Sequence, residues 1–268
     1  MSISSSLSAL RQVWREDGEF ARLGPRRGSL LAMHYRGRIE ARLEWTPKID
    51  RLRFEHFSRT IDLTLSAPYL GALKGVFLDV EYDCSGLFDA PPLRILDLGA
   101  NIGMGSLSLA CQFPNAEFVC VEPDPRNLGL LKTNLQQNGI RAEIVPAAVG
   151  VVSGKSSLRF NYDPTCSRLE SLPEQDLHDL TGVDMVTVPD VLDLAGWKTV
   201  DLLKIDIEGA EDEILSAKNE WLENVGAIIL EIHPITSPAK ILSYIEGYGF
   251  SVRRHGSGRE PVYLCERG

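Results

Sequence analysis

Short apolar runs alternate with amphipathic stretches along most of this 268-residue chain. Residues 93–98, 117–121, 142–145, 201–206 and 227–232 are compact, mostly apolar runs. Continuous runs of this kind predict strands covered on both faces, because a half-exposed strand would alternate. Between them apolar residues recur at helical spacing. One helix is predicted over 103–113 and is stopped by Pro114, which cannot continue the backbone ladder. A second follows Asp124 as its cap, with Pro125 at the first position and Gly139 just beyond the end. Its buried stripe is Leu128, Leu131 and Leu135. An antiparallel excursion is expected around 155–161 and 184–188. A third helix over 241–248 precedes final strands near 250–253 and 261–265. Strand, helix, strand in this order predicts an α/β fold with a doubly wound, mostly parallel sheet. Such sheets bind ligands at the C-terminal ends of their strands, where the strand order reverses.

The first ninety residues read differently. Residues 4–22 predict an amphipathic helix with Leu7, Leu10, Val13 and Trp14 at helical spacing, broken by Gly24, Pro25 and Gly28. Two short strands are expected within 52–65, and residues 67–80 look helical first and extended later. The chain is thus divided into an N-terminal accessory or lid region, 1–90, and a ligand-binding catalytic domain, 91–268.

Composition changes this picture little: 44% hydrophobic and 24% charged residues are ordinary for a globular protein. The N-terminus lacks an apolar core behind basic residues, and the five cysteines are scattered without a CxxC pair. A cytoplasmic protein without disulfides or structural zinc is expected. No eighteen-residue apolar run suggests a membrane span. A net charge of −9 argues against nucleic acid as a partner. The charge is uneven, since residues 1–60 hold twelve Lys or Arg against seven Asp or Glu. That segment is either a solvated basic surface or a contact for an acidic acceptor.

The candidate chemistry begins at Asp97-Leu98-Gly99-Ala100-Asn101-Ile102-Gly103. Gly99 permits a tight turn after the strand, Gly103 opens the next helix, and Asn101 places a short polar group between them. A pyrophosphate-binding turn would read G-x-G-x-x-G. Here the spacing is G-x-x-x-G behind an acid, and Asp97 can meet an ammonium group. S-adenosylmethionine, with an ammonium and a sulfonium but no phosphate, suits the turn better than a dinucleotide. Glu122 ends the second strand, where related folds hold ribose hydroxyls with a carboxylate.

The segments ILDLGANIGMGSLSLA, FVCVEPDPRNLGLLKTNLQQN, DLLKIDIEGAEDEIL and IILEIHP resemble the FkbM family of methyltransferases over roughly half the chain. The resemblance implies a class I, Rossmann-like methyltransferase fold and S-adenosylmethionine as methyl donor. It also implies O-methylation of a hydroxyl on a sugar, polyketide or other small natural product. Residues matching the family's cofactor segments are Asp97, Gly99, Ala100, Asn101, Gly103, Glu122, Pro123 and Asp124, with Ala147 and Ala148 in the stretch that borders adenine. The resemblance fades over 1–80 and 163–182, where an acceptor pocket or lid is expected.

Proton removal from an acceptor hydroxyl needs a base or a metal. Asp206, Glu208, Glu231 and His233 gather at two predicted strand ends. Lys204 shares a strand face with Asp206 and is expected to pair with Glu231, or else to orient substrate or move a proton. His233 either takes the hydroxyl proton or packs beneath Pro234. Asp206, Glu231 and His233 can alternatively bind one cation such as Mg2+. Glu208 is a catalytic candidate together with His233, Asp206 and Lys204, or instead anchors the following turn through backbone amides. Tyr82, by position alone, is a candidate lid residue over the donor. The expected partner is a small-molecule or glycan acceptor, with a homodimer left open. Transfer to an amine or carboxylate of a peptide, and a donor-binding module without turnover, are the competing readings.

Overall fold

The computed structural model describes residues 3–267 apart from 25, 27, 160–167, 170–179, 218, 234–236 and 256–260. Cys166, Pro234 and most of segment 163–182 therefore lie outside the described residues. The chain opens with α1 (Ile3–Phe20) and α2 (Ser29–Arg42), then the hairpin β1 (Ile49–His56) and β2 (Arg59–Ser66), then α3 (Leu70–Phe77). Trp14, expected in the buried stripe of α1, is half exposed, while Asp17 and Phe20 are buried instead. Asp17 explains the join to α2: its carboxylate accepts from the amides of Gly28 (2.6 Å) and Leu30 (2.9 Å), satisfying donors that a helix start leaves open. The hydrophobic pattern does not announce α2, because its buried residues are Leu30, Met33 and Glu40, and the last is held by Arg36. Phe57 and Ser58 close the hairpin with φ of +46° and +58°, a two-residue turn whose twist matches the strands. The extended half expected within 67–80 does not form a strand; residues 78–93 are turns and coil.

The alternating part follows as β3 (Arg94–Leu98), α4 (Met104–Gln112), β4 (Glu117–Val121), α5 (Pro125–Gln137) and β5 (Ala142–Val145). An excursion of β6 (Ala147–Val149), β7 (Gly154–Arg159), β8 (Arg168–Leu169) and β9 (Leu180–Val186) forms a separate four-stranded sheet. Its β7 and β9 pair antiparallel, as the pattern predicts. The chain then returns through α6 (Val188–Ala195), β10 (Val200–Ile205), α7 (Glu211–Ser216), β11 (Val225–Glu231), α8 (Pro238–Gly247), β12 (Phe250–His255) and β13 (Val262–Arg267).

The main sheet has the order β12-β13-β11-β10-β3-β4-β5. From β11 to β5 every pair is parallel, and β13 joins antiparallel to β11 and β12. The order reverses between β3 and β10, which places the ligand end of the sheet beside Leu98 and Asp206. Alternating residues feed two cores. Leu96, Val119, Leu203 and Ile228 meet α6, α7 and α8 on one face. Ile95, Phe118, Leu202 and Ile229 meet α4, α5 and the N-terminal layer on the other. One side-chain amide of α5 and the one at its C-cap seal the outer edge of the hairpin. Asn134 accepts from Thr64 N–H at 2.7 Å and donates to its carbonyl at 3.0 Å, and Asn138 does the same at Asp62. Among the described residues no helix is long and apolar enough to cross a membrane.

Because Phe54 stacks at 4.9 Å on both Phe20 and Phe77 within the core that also contains sheet residues, the N-terminal layer should unfold with the sheet. Phe54→Ala is expected to lower unfolding free energy by about 3–5 kcal/mol. Urea titrations followed by far-UV circular dichroism and tryptophan fluorescence should shift together. Two separated transitions in the wild type would refute the shared core.

Candidate functional site

At the switch point the backbone leaves β3 through a left-handed turn, with φ of +79° at Gly99, +52° at Asn101 and +89° at Gly103. Gly99 is required for more than its φ. A Cβ there would run into the carbonyl oxygen of Asp206 on the neighbouring strand. The amides of Gly99 and Ala100 both donate to the carbonyl of Val121 at 3.0 Å, and Ala100 is buried.

Glu122 organises the rim of this turn. It accepts from the amide of Asn101 (2.8 Å), the amide of Asp124 (2.8 Å) and the side-chain amide of Asn127 (3.0 Å). Burial pushes its carboxyl up to about 7 against the lowering effect of those donors. A carboxylate has about four acceptor directions, and these three donors occupy three of them. Asp124 caps α5 through the amide of Arg126 at 2.8 Å, as its spacing predicts, and Pro123 lies half-buried between the two acids. Ala147 and Ala148 are buried in β6, which follows β5 directly.

Asp97 departs from its expected role. It is fully buried, with Oδ1 accepting from Lys204 Nζ at 2.9 Å and Oδ2 from Ser106 Oγ at 2.6 Å. With no exposed surface, the carboxylate supports the turn from beneath through Lys204 and Ser106 rather than standing open to a donor ammonium. The expected Lys204–Glu231 pair is corrected in the same stroke. Lys204 and Asp97 are direct register partners across β10 and β3, whereas Lys204 faces Ile229 on β11. Glu231 lies two residues beyond Ile229 on β11, and its carboxylate meets the Tyr82 phenol. Lys204 also donates to the carbonyl of Gly99 at 3.2 Å and stands 3.6 Å from Asp206 Oδ2. Burial alone would lower its pKa, but Asp97, Asp206 and Glu231 together hold it above its ordinary value.

The strand-end acids divide into two groups around Asp206. On one side Tyr82 Oη lies 3.1 Å from Asp206 Oδ2 and 3.1 Å from Glu231 Oε2. A phenol has one proton, so both contacts are hydrogen bonds only when one carboxyl also carries a proton. Burial first, and then the charge of Asp206, raise Glu231 and favour it as the protonated partner. Tyr82 is buried at the sheet end rather than lying over the site as an exposed lid.

On the other side stands His233. Its Nδ1 is 2.8 Å from Glu211 Oε1, and its Nε2 is 3.4 Å from Glu208 Oε2 and 3.8 Å from Asp206 Oδ1. Burial lowers the ring pKa, but Glu211, Asp206 and Glu208 outweigh it and push the imidazole up to about 10. Held protonated by these acids, the ring does not favour its expected role as base. The expected metal set also changes. Asp206, Glu208 and His233 each offer one atom within 4.8 Å of the others, while Glu231 is turned to Tyr82.

The turn anchoring that was the alternative reading of Glu208 is performed by Glu211. Glu211 accepts from the amides of Gly209 (3.1 Å) and Ile207 (3.4 Å) and so anchors the turn. The signal was present in the last acid of KIDIEGAE, one helical turn beyond the strand.

Known proteins share this arrangement of segments. A family model described as "Methyltransferase FkbM domain" matches residues 97–252. Methyltransferase sdnD of Sordaria araneosa is 28% identical over 245 residues, covering 78% of this chain and 91% of its own length. The 31-O-demethyl-FK506 methyltransferase FkbM of Streptomyces tacrolimicus is 24% identical over 210 residues, covering 67% of this chain and 80% of its own. The crystal structure of methyltransferase FkbM from Methylobacillus flagellatus KT superposes with a TM-score of 0.52 at 19% identity, over 70% of this chain and 47% of that one. That likeness shows the fold. With the doubly wound sheet, the left-handed turn after β3 and a match over more than half its length, the chain belongs to the FkbM family of S-adenosylmethionine-dependent methyltransferases.

Proposed function

We propose that the chain transfers the methyl group of S-adenosylmethionine to a hydroxyl oxygen of a small-molecule or glycan acceptor, with Asp206 as the proton acceptor. The observation that carries this reading is the contact between donor turn and base: the Asp206 amide donates to the Leu98 carbonyl at 3.0 Å, and Gly99 lies directly against Asp206. The FK506-modifying relative, named for a 31-O position, supports oxygen as the acceptor atom.

Gly99, Asn101, Gly103 and Glu122 would hold the donor, the carboxylate of Glu122 facing the ribose hydroxyls. When bound, S-adenosylmethionine supplies a methyl on a sulfonium, which an oxygen takes in line while sulfur keeps the bonding pair. The hydroxyl proton must leave as the new C–O bond forms, and Asp206 Oδ1 is placed on the partly exposed side to receive it. His233, as an imidazolium, offsets the charge of Asp206 and Glu208 and presents an N–H toward the same opening. Fixing the partners in place supplies much of the remaining acceleration.

A second reading rests on the Asp206, Glu208 and His233 triad. The residues fit a divalent cation: two carboxylates and one imidazole whose other nitrogen is oriented by Glu211, the usual support for a metal-bound ring. There a cation such as Mg2+ would hold acceptor oxygens and acidify the hydroxyl. The two readings differ in one proton, since a coordinating Nε2 carries none.

Three outcomes are expected. Asp206→Asn should lower labelled methyl transfer from S-adenosylmethionine into a size-fractionated extract of the source organism by about 10²–10⁴-fold. Donor affinity by calorimetry should change little; an undiminished rate would move the acceptor to an amine or carboxylate. Chelator should leave transfer intact, and loss restored by Mg2+ or Mn2+ would install the cation. Finally, histidine NMR should show His233 protonated until pH approaches about 10. Because its folded pKa lies above the ordinary 6.5, its contribution to stability is complete below pH 6.5 and is lost as pH rises toward 10. His233→Ala should flatten stability over that window, and an unchanged slope would count against the cluster.

A further inference from the structure

Tyr82 comes from the irregular segment before β3, outside the residues matched by the family model, yet it reaches the centre of the strand-end cluster. Its phenol oxygen sits 3.1 Å from Asp206 Oδ2, and Lys204 Nζ is 3.6 Å from that same oxygen. One oxygen of Asp206 is thus turned into the protein, and Oδ1 is left on the side of His233.

The tyrosine is itself fixed. Gln112 on α4 donates to the Tyr82 carbonyl at 2.8 Å and accepts from the Cys84 amide at 2.7 Å, clamping the chain on both sides of it. Gly105 makes room: a Cβ there would lie 2.9 Å from Lys204 Cε and 3.2 Å from Tyr82 Cε2. The second phenol contact, to Glu231, prevents the ring from turning its oxygen away from the strand ends.

We propose that Tyr82 is a positioning residue for methyl transfer, which locks the Asp206 carboxylate with Oδ1 toward the acceptor hydroxyl. The N-terminal region then supplies a functional part of the site and not only a cover. This inference rests on the reading of Asp206 as the proton acceptor. A carboxylate free to rotate loses the aligned geometry on which the rate depends, and a misplacement of about 1 Å can cost about a hundredfold.

The test is a double-mutant cycle with Tyr82→Phe and Asp206→Asn, measured as the initial rate of labelled methyl transfer into the extract fraction that the wild type labels. Tyr82→Phe should lower the rate at saturating donor about ten- to hundredfold. The apparent donor KM and the melting temperature should stay at wild-type values, which a merely structural loss would not allow. In the Asp206→Asn background the second substitution should have no further effect, because its action passes through that carboxylate. A full rate in Asp206→Asn alone defeats the base assignment. A deficit in Asp206→Asn with a wild-type rate in Tyr82→Phe, or two losses that multiply, defeats the Tyr82 proposal only. Independently of any acceptor, crystal structures should show Asp206 in one orientation in the wild type and turned or split in Tyr82→Phe. The same single orientation in both would overturn the proposal.

Discussion

The ammonium of Lys204, buried between β3 and β10, is the constraint on which the site is built. An isolated ion at this depth would cost several kcal/mol, so its neighbours must answer it. They do so from three places at once: Asp97 on β3, the Gly99 carbonyl in the donor turn, and Asp206 at the end of β10. The pair adds little net stability, because desolvation consumes most of the Coulomb attraction. Its effect is on register. Slipping β10 by one residue would turn Lys204 to the opposite, apolar face and leave Asp97 with Ser106 alone. The ion pair therefore fixes the relation between the turn after β3 and Asp206.

Charge around that point is unequal. Among the described residues Asp97, Asp206, Glu208 and Glu211 crowd the two buried bases, Lys204 and His233. Each base is shared among several acids, which is why both are held protonated although burial opposes it. The surplus of acid suits a donor with a sulfonium and an ammonium. The same acids raise the pKa of a histidine whose ordinary value lies in the switching range.

The β3, β4, β10 and β11 strands were legible because each is an apolar run with an acid at its end, β5 from its short, mostly apolar run, and the turn after β3 from its glycine spacing. Register was not legible. Adjacent parallel strands slide by whole residues without changing their own sequence, so Lys204 could be assigned to Glu231 when its cross-strand neighbour is Asp97. The same blindness exchanged Glu208 with Glu211, since only the path of the turn decides which acid reaches back to the amides. Helix α2 was missed for another reason. Its inward face contains Glu40, neutralised by Arg36, where a periodicity argument requires an apolar side chain.

The role of residues 78–93 lies beyond any local pattern, because it depends on contacts across 124 and 149 positions from Tyr82 to Asp206 and Glu231. What makes those contacts possible is the continuity of one core. Phe20, Phe54 and Phe77 of the N-terminal layer pack in the same cluster as Ile95, Leu202 and Ile229 of the sheet. Gln112 then converts that packing into a fixed backbone path at Tyr82. A cover joined by apolar packing alone could shift by an ångström at little cost. One carrying a hydrogen bond to Asp206 cannot, so the packing of the first ninety residues and the alignment of that carboxylate are a single mechanical problem.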